Sequence, residues 1–131
     1  VSTTSKPLIL VVDDDAPILI LMHSLLREFG FEPIGASSGA EAIRLARERR
    51  PDLMLLDKHM PGMSGDEVIR TLRVTGEDGL GRMPILLLTG EPITQHELAA
   101  LGANGAIQKP FDITALLDQI RGFVGTAAAQ S

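Results

Sequence analysis

Asp57 ends the apolar run Leu53-Met54-Leu55-Leu56, and Asp13 and Asp14 end another, Leu8-Ile9-Leu10-Val11-Val12. If both runs are neighbouring strands, three carboxylates converge at one sheet edge. Like charges crowded in a poorly solvated crevice raise one another's pKa and cost stability. A hard divalent cation that prefers oxygen ligands reverses that cost, and Mg²⁺ is the cofactor expected here, held by Asp13, Asp14 and Asp57. Two further strand-like runs end in Thr89 and Lys109. A hydroxyl can donate to one phosphoryl oxygen and an ammonium can pair with another. The set is therefore one for phosphoryl transfer, with Asp57, expected to be exposed at its strand end, as nucleophile and an acyl phosphate as product.

The elements that must position these residues alternate. Short leucine-rich or β-branched runs are separated by longer amphipathic stretches, the pattern of successive βαβ units around a parallel sheet. Pro17 suits the first turn of a helix whose Ile18, Leu21, Met22, Leu25, Leu26 and Phe29 share a face up to Gly30. Ser38 with Glu41 signals the start of a second helix, stopped by Pro51. A third is predicted from about Asp66 to Val74. The stretch 75–81, with three glycines and two acids, is predicted to carry no regular element. Strands follow at Pro84–Thr89 and Ala106–Lys109. Thr94 and Glu97 form a capping box for a weakly anchored fourth helix. Asp112 caps a fifth with a core stripe of Ile113, Leu116, Leu117, Ile120 and Val124. The expected fold is a doubly wound α/β sheet of five parallel strands with five helices, its ligands outside the carboxyl ends of the strands.

At 131 residues the chain fits one domain, with an extension at 1–7, a core unit at 8–124 and a tail at 125–131. It has no cysteine, so disulfide frameworks and cysteine-ligated zinc are excluded. A net charge of -5 with no long basic block argues against a nucleic-acid surface. No apolar stretch reaches the roughly 18 residues of a membrane span, and the first residues lack the apolar core of a signal peptide. A cytoplasmic location is expected. His23 and His96 lie among polar neighbours and are expected to face solvent.

Four motifs stand in order: Val11-Val12-Asp13-Asp14-Asp15, Asp57-Lys58-His59-Met60-Pro61 with Gly65, Leu88-Thr89-Gly90, and Lys109-Pro110-Phe111. Each alone has a structural explanation, such as a capping turn for the aspartates or turn chemistry for Thr89-Gly90. Together, from about Leu8 to Val124, the chain resembles the receiver domain of two-component response regulators. The resemblance implies a flavodoxin-like fold with strand order 2-1-3-4-5. It also implies a phosphoryl group delivered to Asp57 by a sensor histidine kinase, a phosphotransfer protein or a small phosphodonor. The chain would then be a signalling switch that catalyses only its own modification. By the same resemblance Asp14 ligates the metal directly, Asp13 acts partly through water, the main-chain carbonyl of His59 completes the shell, and the Lys109-Pro110 peptide is cis.

The sequence departs from that family at Ala106, where an aromatic residue is usual, so output is expected to travel by backbone or loop movement. His59 and Glu91 flank the acceptor and are candidates for tuning the lifetime of the phosphoryl group. Two other readings compete. One is a haloacid-dehalogenase-like phosphatase with Asp13 as nucleophile and Asp15 as acid. The other is an interaction module that keeps the fold without being phosphorylated. The pattern is also compatible with homodimerisation through the last two helices and the fifth strand, but carries no diagnostic patch for it.

Overall fold

The apolar runs become five parallel strands in a computed structural model of the chain, which describes residues 6–75 and 77–124. They are β1 (Leu8–Val12), β2 (Glu32–Ala36), β3 (Leu53–Asp57), β4 (Ile85–Thr89) and β5 (Gly105–Gln108), in sheet order β2-β1-β3-β4-β5. The intervening helices are α1 (Ala16–Glu28), α2 (Gly39–Arg49), α3 (Gly65–Thr75), α4 (Gln95–Leu101) and α5 (Ile113–Val124). This is the doubly wound arrangement expected from the alternation of runs, in the flavodoxin-like strand order that the resemblance implies. The extension and tail predicted at the ends lie mostly outside the described residues.

Strand alternation sorts the apolar side chains into two cores. Ile9, Val11, Leu53, Leu55, Leu86, Leu88 and Ile107 meet Met22 and Leu26 of α1 and Leu116, Leu117 and Ile120 of α5. Leu10, Val12, Met54, Leu56, Ile85 and Leu87 face Ala42, Ile43 and Ala46 of α2, Val68, Ile69 and Leu72 of α3, and Leu98 of α4. β3 and β4 are buried along their whole length, which is why they read as continuous apolar runs rather than alternating ones. Truncating one such leucine to alanine typically costs about 2–5 kcal/mol, so the middle of the sheet is a rigid floor for whatever its carboxyl end carries.

Several predicted details change. Leu21 and Phe29 are 52% and 40% exposed, so the buried face of α1 is carried by Met22 and Leu26, with Ile18, Leu19 and Leu25 at its margins. Ile113, at the first position of α5, is also exposed. The glycine-rich connection is not irregular, because Glu77–Arg82 form a 3-10 helix, whose tighter i to i+3 turns suit so short a segment. Lys109 falls one residue beyond β5, and Pro84, which has no amide hydrogen for the ladder, one residue before β4. The capping signals stand. Ser38 Oγ accepts from the Glu41 amide, Asp112 Oδ2 from the Ala115 amide, and Thr94 and Glu97 form a complete capping box.

Candidate functional site

Strand register brings the polar ends together. Val12 pairs with Leu56, so Asp13 leaves β1 beside Asp57. Asp57 pairs with Leu88, and Thr89 with Gln108, which places Thr89 and Lys109 each one step past the preceding strand's end. Backbone bonds continue the ladder across these positions, from the Lys58 amide to Leu88 O and from the Lys109 amide to Thr89 O. Carboxylate oxygens of Asp13, Asp14 and Asp57 lie within 4.8 Å of one another.

The expected exposure of Asp57 is corrected by this packing: the residue is only 6% exposed. It sits in a crevice because α3 begins hard against the end of β3. A Cβ on Gly65 would stand 2.7 Å from the carbonyl oxygen of Asp57, so only glycine fits there. Asp57 Oδ1 accepts from the His59 amide at 3.2 Å and lies 3.5 Å from Lys109 Nζ. Both contacts fall on the same oxygen.

Asp13 is buried more deeply, at 1% exposure. Its Oδ1 accepts from the Asp15 amide at 3.0 Å. Its Oδ2 has no hydrogen bond and only the 3.5 Å ion pair with Lys109 Nζ. Burial pushes the Asp13 carboxyl above the ordinary range; the Asp15 amide pulls it back, the charge of Asp57 raises it and Lys109 lowers it. A buried carboxylate oxygen without a donor, beside two further acids, is a donor set suited to a hard divalent cation and costly without one. The residues present fit Mg²⁺.

Thr89 is buried, at 2% exposure, and its hydroxyl is engaged locally. It donates to Glu91 O and accepts from the Glu91 amide, both at 3.1 Å. His59 Nε2 and Glu91 Oε1 approach to 3.7 Å across the mouth, both well exposed. The Lys109-Pro110 peptide is cis. His23 and His96 are exposed, as expected. Sequence reasoning missed the pair of Lys58 Nζ with Asp66 at 3.6 Å, which ties the residue after Asp57 to α3. Its sequence signal was only a lysine in an otherwise apolar and acidic neighbourhood.

A doubly wound parallel sheet whose carboxyl edge gathers three acids, a threonine and a lysine places the chain among α/β proteins with their polar site at the strand ends. The family model for the response regulator receiver domain matches residues 9–121, and the chain belongs to that family. It is 39% identical over 120 residues to the DNA-binding response regulator MtrA of Mycobacterium tuberculosis, covering 90% of this chain and 50% of that protein. It is 34% identical over 116 residues to sporulation initiation phosphotransferase F of Bacillus subtilis, covering 88% and 92%. The chain spans about half the length of MtrA and, at 55%, little more of the transcriptional regulatory protein PrrA. Among solved structures it resembles the chemotaxis protein CheY4 of Vibrio cholerae, with TM-score 0.84 and 31% identity over 91% of this chain and 99% of that one. It also resembles the receiver domain of a Pseudomonas aeruginosa sensor histidine kinase solved with a magnesium ion in its active-site cleft, with TM-score 0.82 and 25% identity over 93% and 100%. The family match leaves the phosphatase reading without support.

Proposed function

We propose that Asp57 accepts a phosphoryl group and that the chain acts through this modification as a signalling switch. The observation that carries the reading is the convergence of Asp13, Asp14 and Asp57 with Lys109 Nζ set 3.5 Å from both Asp13 and Asp57. With Oδ1 of Asp57 held by the His59 amide and facing Lys109, Oδ2 is the oxygen left to attack phosphorus. The bond from phosphorus to the donor's nitrogen or oxygen breaks, and the electron pair leaves with the donor, which takes up a proton. Lys109 then pairs with one phosphoryl oxygen, and the Thr89 hydroxyl donates to another. Asp13, Asp14, Asp57 and the main-chain carbonyl of His59 would hold Mg²⁺, which when bound neutralises charge on the phosphoryl oxygens.

The donor would be a sensor histidine kinase or a phosphotransfer protein, as expected of the family. Residues 8–124 would be the functional unit, and His59 and Glu91, meeting across the mouth, would limit access of water to the acyl phosphate. Among the described residues no helix is long and apolar enough to cross a membrane, which accords with a cytoplasmic site of action. The test is incubation with acetyl phosphate and Mg²⁺ followed by intact-mass measurement and peptide mapping. One phosphoryl group on Asp57, absent in Asp57→Asn and in chelator, is expected. An unmodified protein would favour the interaction-module reading, and a phosphoryl group on Asp13 would overturn the assignment.

A further inference from the structure

Met63 is set apart from the other methionines by its exposure. The chain has five. Met22, Met54, Met60 and Met83 are buried, whereas Met63 is half-buried in the loop between β3 and α3. An oxidant reaches an accessible thioether before a sealed one.

The seat of Met63 is tight and apolar. The side chain packs against the core that α2 and α3 share. A Cβ added at Gly39, the first residue of α2, would stand 2.9 Å from the Met63 Cβ and 2.9 Å from a Val68 methyl carbon, so glycine there leaves the room that Met63 and Val68 fill. Pro61 and Gly62 are exposed, and Met60 and Met63 are the side chains that fasten the middle of the loop. Its ends are bonded to the site. The His59 amide donates to Asp57 Oδ1, the Gly65 amide donates to Lys58 O, and Ser64 and Glu67 cap α3 reciprocally.

We infer that Met63 is the site at which a peroxide modifies this chain, and that its sulfoxide releases the loop and thereby slows phosphoryl acceptance at Asp57. A sulfur lone pair attacks one peroxide oxygen, and the S–O bond forms as the O–O bond breaks. The departing hydroxide takes the proton from the transferred oxygen and leaves as water; sulfur is oxidised by two electrons and the peroxide is reduced. A sulfoxide is polar and larger than a thioether, so returning it to a tight apolar seat carries the cost of burying a bare polar group, and the side chain turns out to water. The loop then moves with it, reaching Asp57 through the His59 amide and α3 through Ser64. Only the effect on phosphoryl acceptance rests on the reading of Asp57 as acceptor.

Graded hydrogen peroxide followed by peptide mapping locates the first oxygen atom gained, which is expected on Met63. In the singly oxidised chain the amides of Gly65 and Glu67 should exchange faster with deuterium. Modification of Asp57 by acetyl phosphate with Mg²⁺ should slow roughly fivefold, the factor for about 1 kcal/mol. Methionine sulfoxide reductase should restore both. Met63→Leu, close in size but without sulfur, should keep its rate after the same peroxide dose. First oxidation at another methionine would overturn the inference, as would unchanged exchange or an unchanged rate in the Met63 sulfoxide, or a folded, peroxide-treated Met63→Leu that slows as the native chain does. Absence of any phosphoryl group on Asp57 of the untreated native chain would overturn the acceptor reading and the effect on phosphoryl acceptance, while the site of oxidation and the amide exchange still decide the release of the loop. The native measurements need no variant, so a poorly folded Met63→Leu leaves the test decisive.

Discussion

Asp13 is the residue whose placement conflicts most with its own stability. It is 1% exposed, one oxygen has no hydrogen bond, and burial, followed by the repulsion of Asp57, holds its carboxyl above the ordinary range despite the Asp15 amide and Lys109. A raised acid is one whose charged form is penalised in the folded state. Replacing it with an uncharged isostere should therefore stabilise the metal-free protein. Asp13→Asn keeps an oxygen for the Asp15 amide and removes the charge, so in chelator its unfolding free energy should rise by about 1 kcal/mol. The same change should weaken Mg²⁺ binding. For the native chain the metal is expected to add about 2.7 kcal/mol at a hundredfold excess over Kd, and in the variant that increment should shrink. Urea unfolding in chelator and in Mg²⁺ measures both, and a less stable variant in chelator would show that the pairing with Lys109 outweighs the burial of charge.

Among the elements, α4 is the one whose stability depends most on its end. It has seven residues, and Leu98 is its one buried side chain among them. Isolated helices of this length do not persist in water, so the capping box carries unusual weight. The Thr94 amide and hydroxyl hold Glu97 below its ordinary pKa of 4.5. A depressed folded-state pKa means the contribution is present above 4.5 and is lost as pH falls through the lower, folded value. Acidification should therefore release the amides of α4 before those of α3 or α5 in hydrogen exchange. Thr94→Ala should cost about 1 kcal/mol locally, or roughly fivefold in α4 protection, even at neutral pH. This cap was legible in the sequence because Thr and Glu at that spacing carry the mechanism in their types. The inward face of α1 was not, because five consecutive apolar residues, Ile18 to Met22, satisfy more than one helical face and periodicity cannot choose between them. Phe29 also escapes the pattern, since it caps α1 rather than continuing it and lies with its ring 6.0 Å from the Arg121 guanidinium.

At the scale of the whole molecule, helix placement and the company kept by Asp57 followed from apolar runs that end in polar residues, and the strand order from the resemblance to receiver domains. The burial of Asp57 did not, because it depends on how closely α3 approaches at Gly65, a tertiary distance with no local signature. Nor did the closure of the sheet's opposite end. There Arg73 on α3 donates from Nε to Gly102 O at 2.9 Å, from one terminal nitrogen to Leu80 O at 3.2 Å, and from the other to Asn104 Oδ1 at 2.9 Å. Asn104 Oδ1 also accepts from the amide of Ile85, the first residue of β4. One guanidinium thus joins α3, the 3-10 helix, the turn after α4 and the edge of β4, and its burial lowers its pKa. Arg73→Met keeps most of the aliphatic stem and removes every donor; Asn104 Oδ1 keeps the Ile85 amide and Leu80 O the Met83 amide, while Gly102 O loses the donor that Arg73 supplies. Since the loss of a partner from a partly buried group costs about 1–3 kcal/mol, a destabilisation in that range is expected in urea unfolding. The clamp lies at the amino edge of β4 and β5, whereas Asp57, Thr89 and Lys109 lie at or just past the carboxyl edge of the sheet. The rate of modification by acetyl phosphate in the folded variant should therefore stay close to that of the native chain. If that rate collapsed in parallel with stability, the two ends of the sheet would have to be coupled through α3, whose first residue packs against the end of β3 and whose last turn carries Arg73.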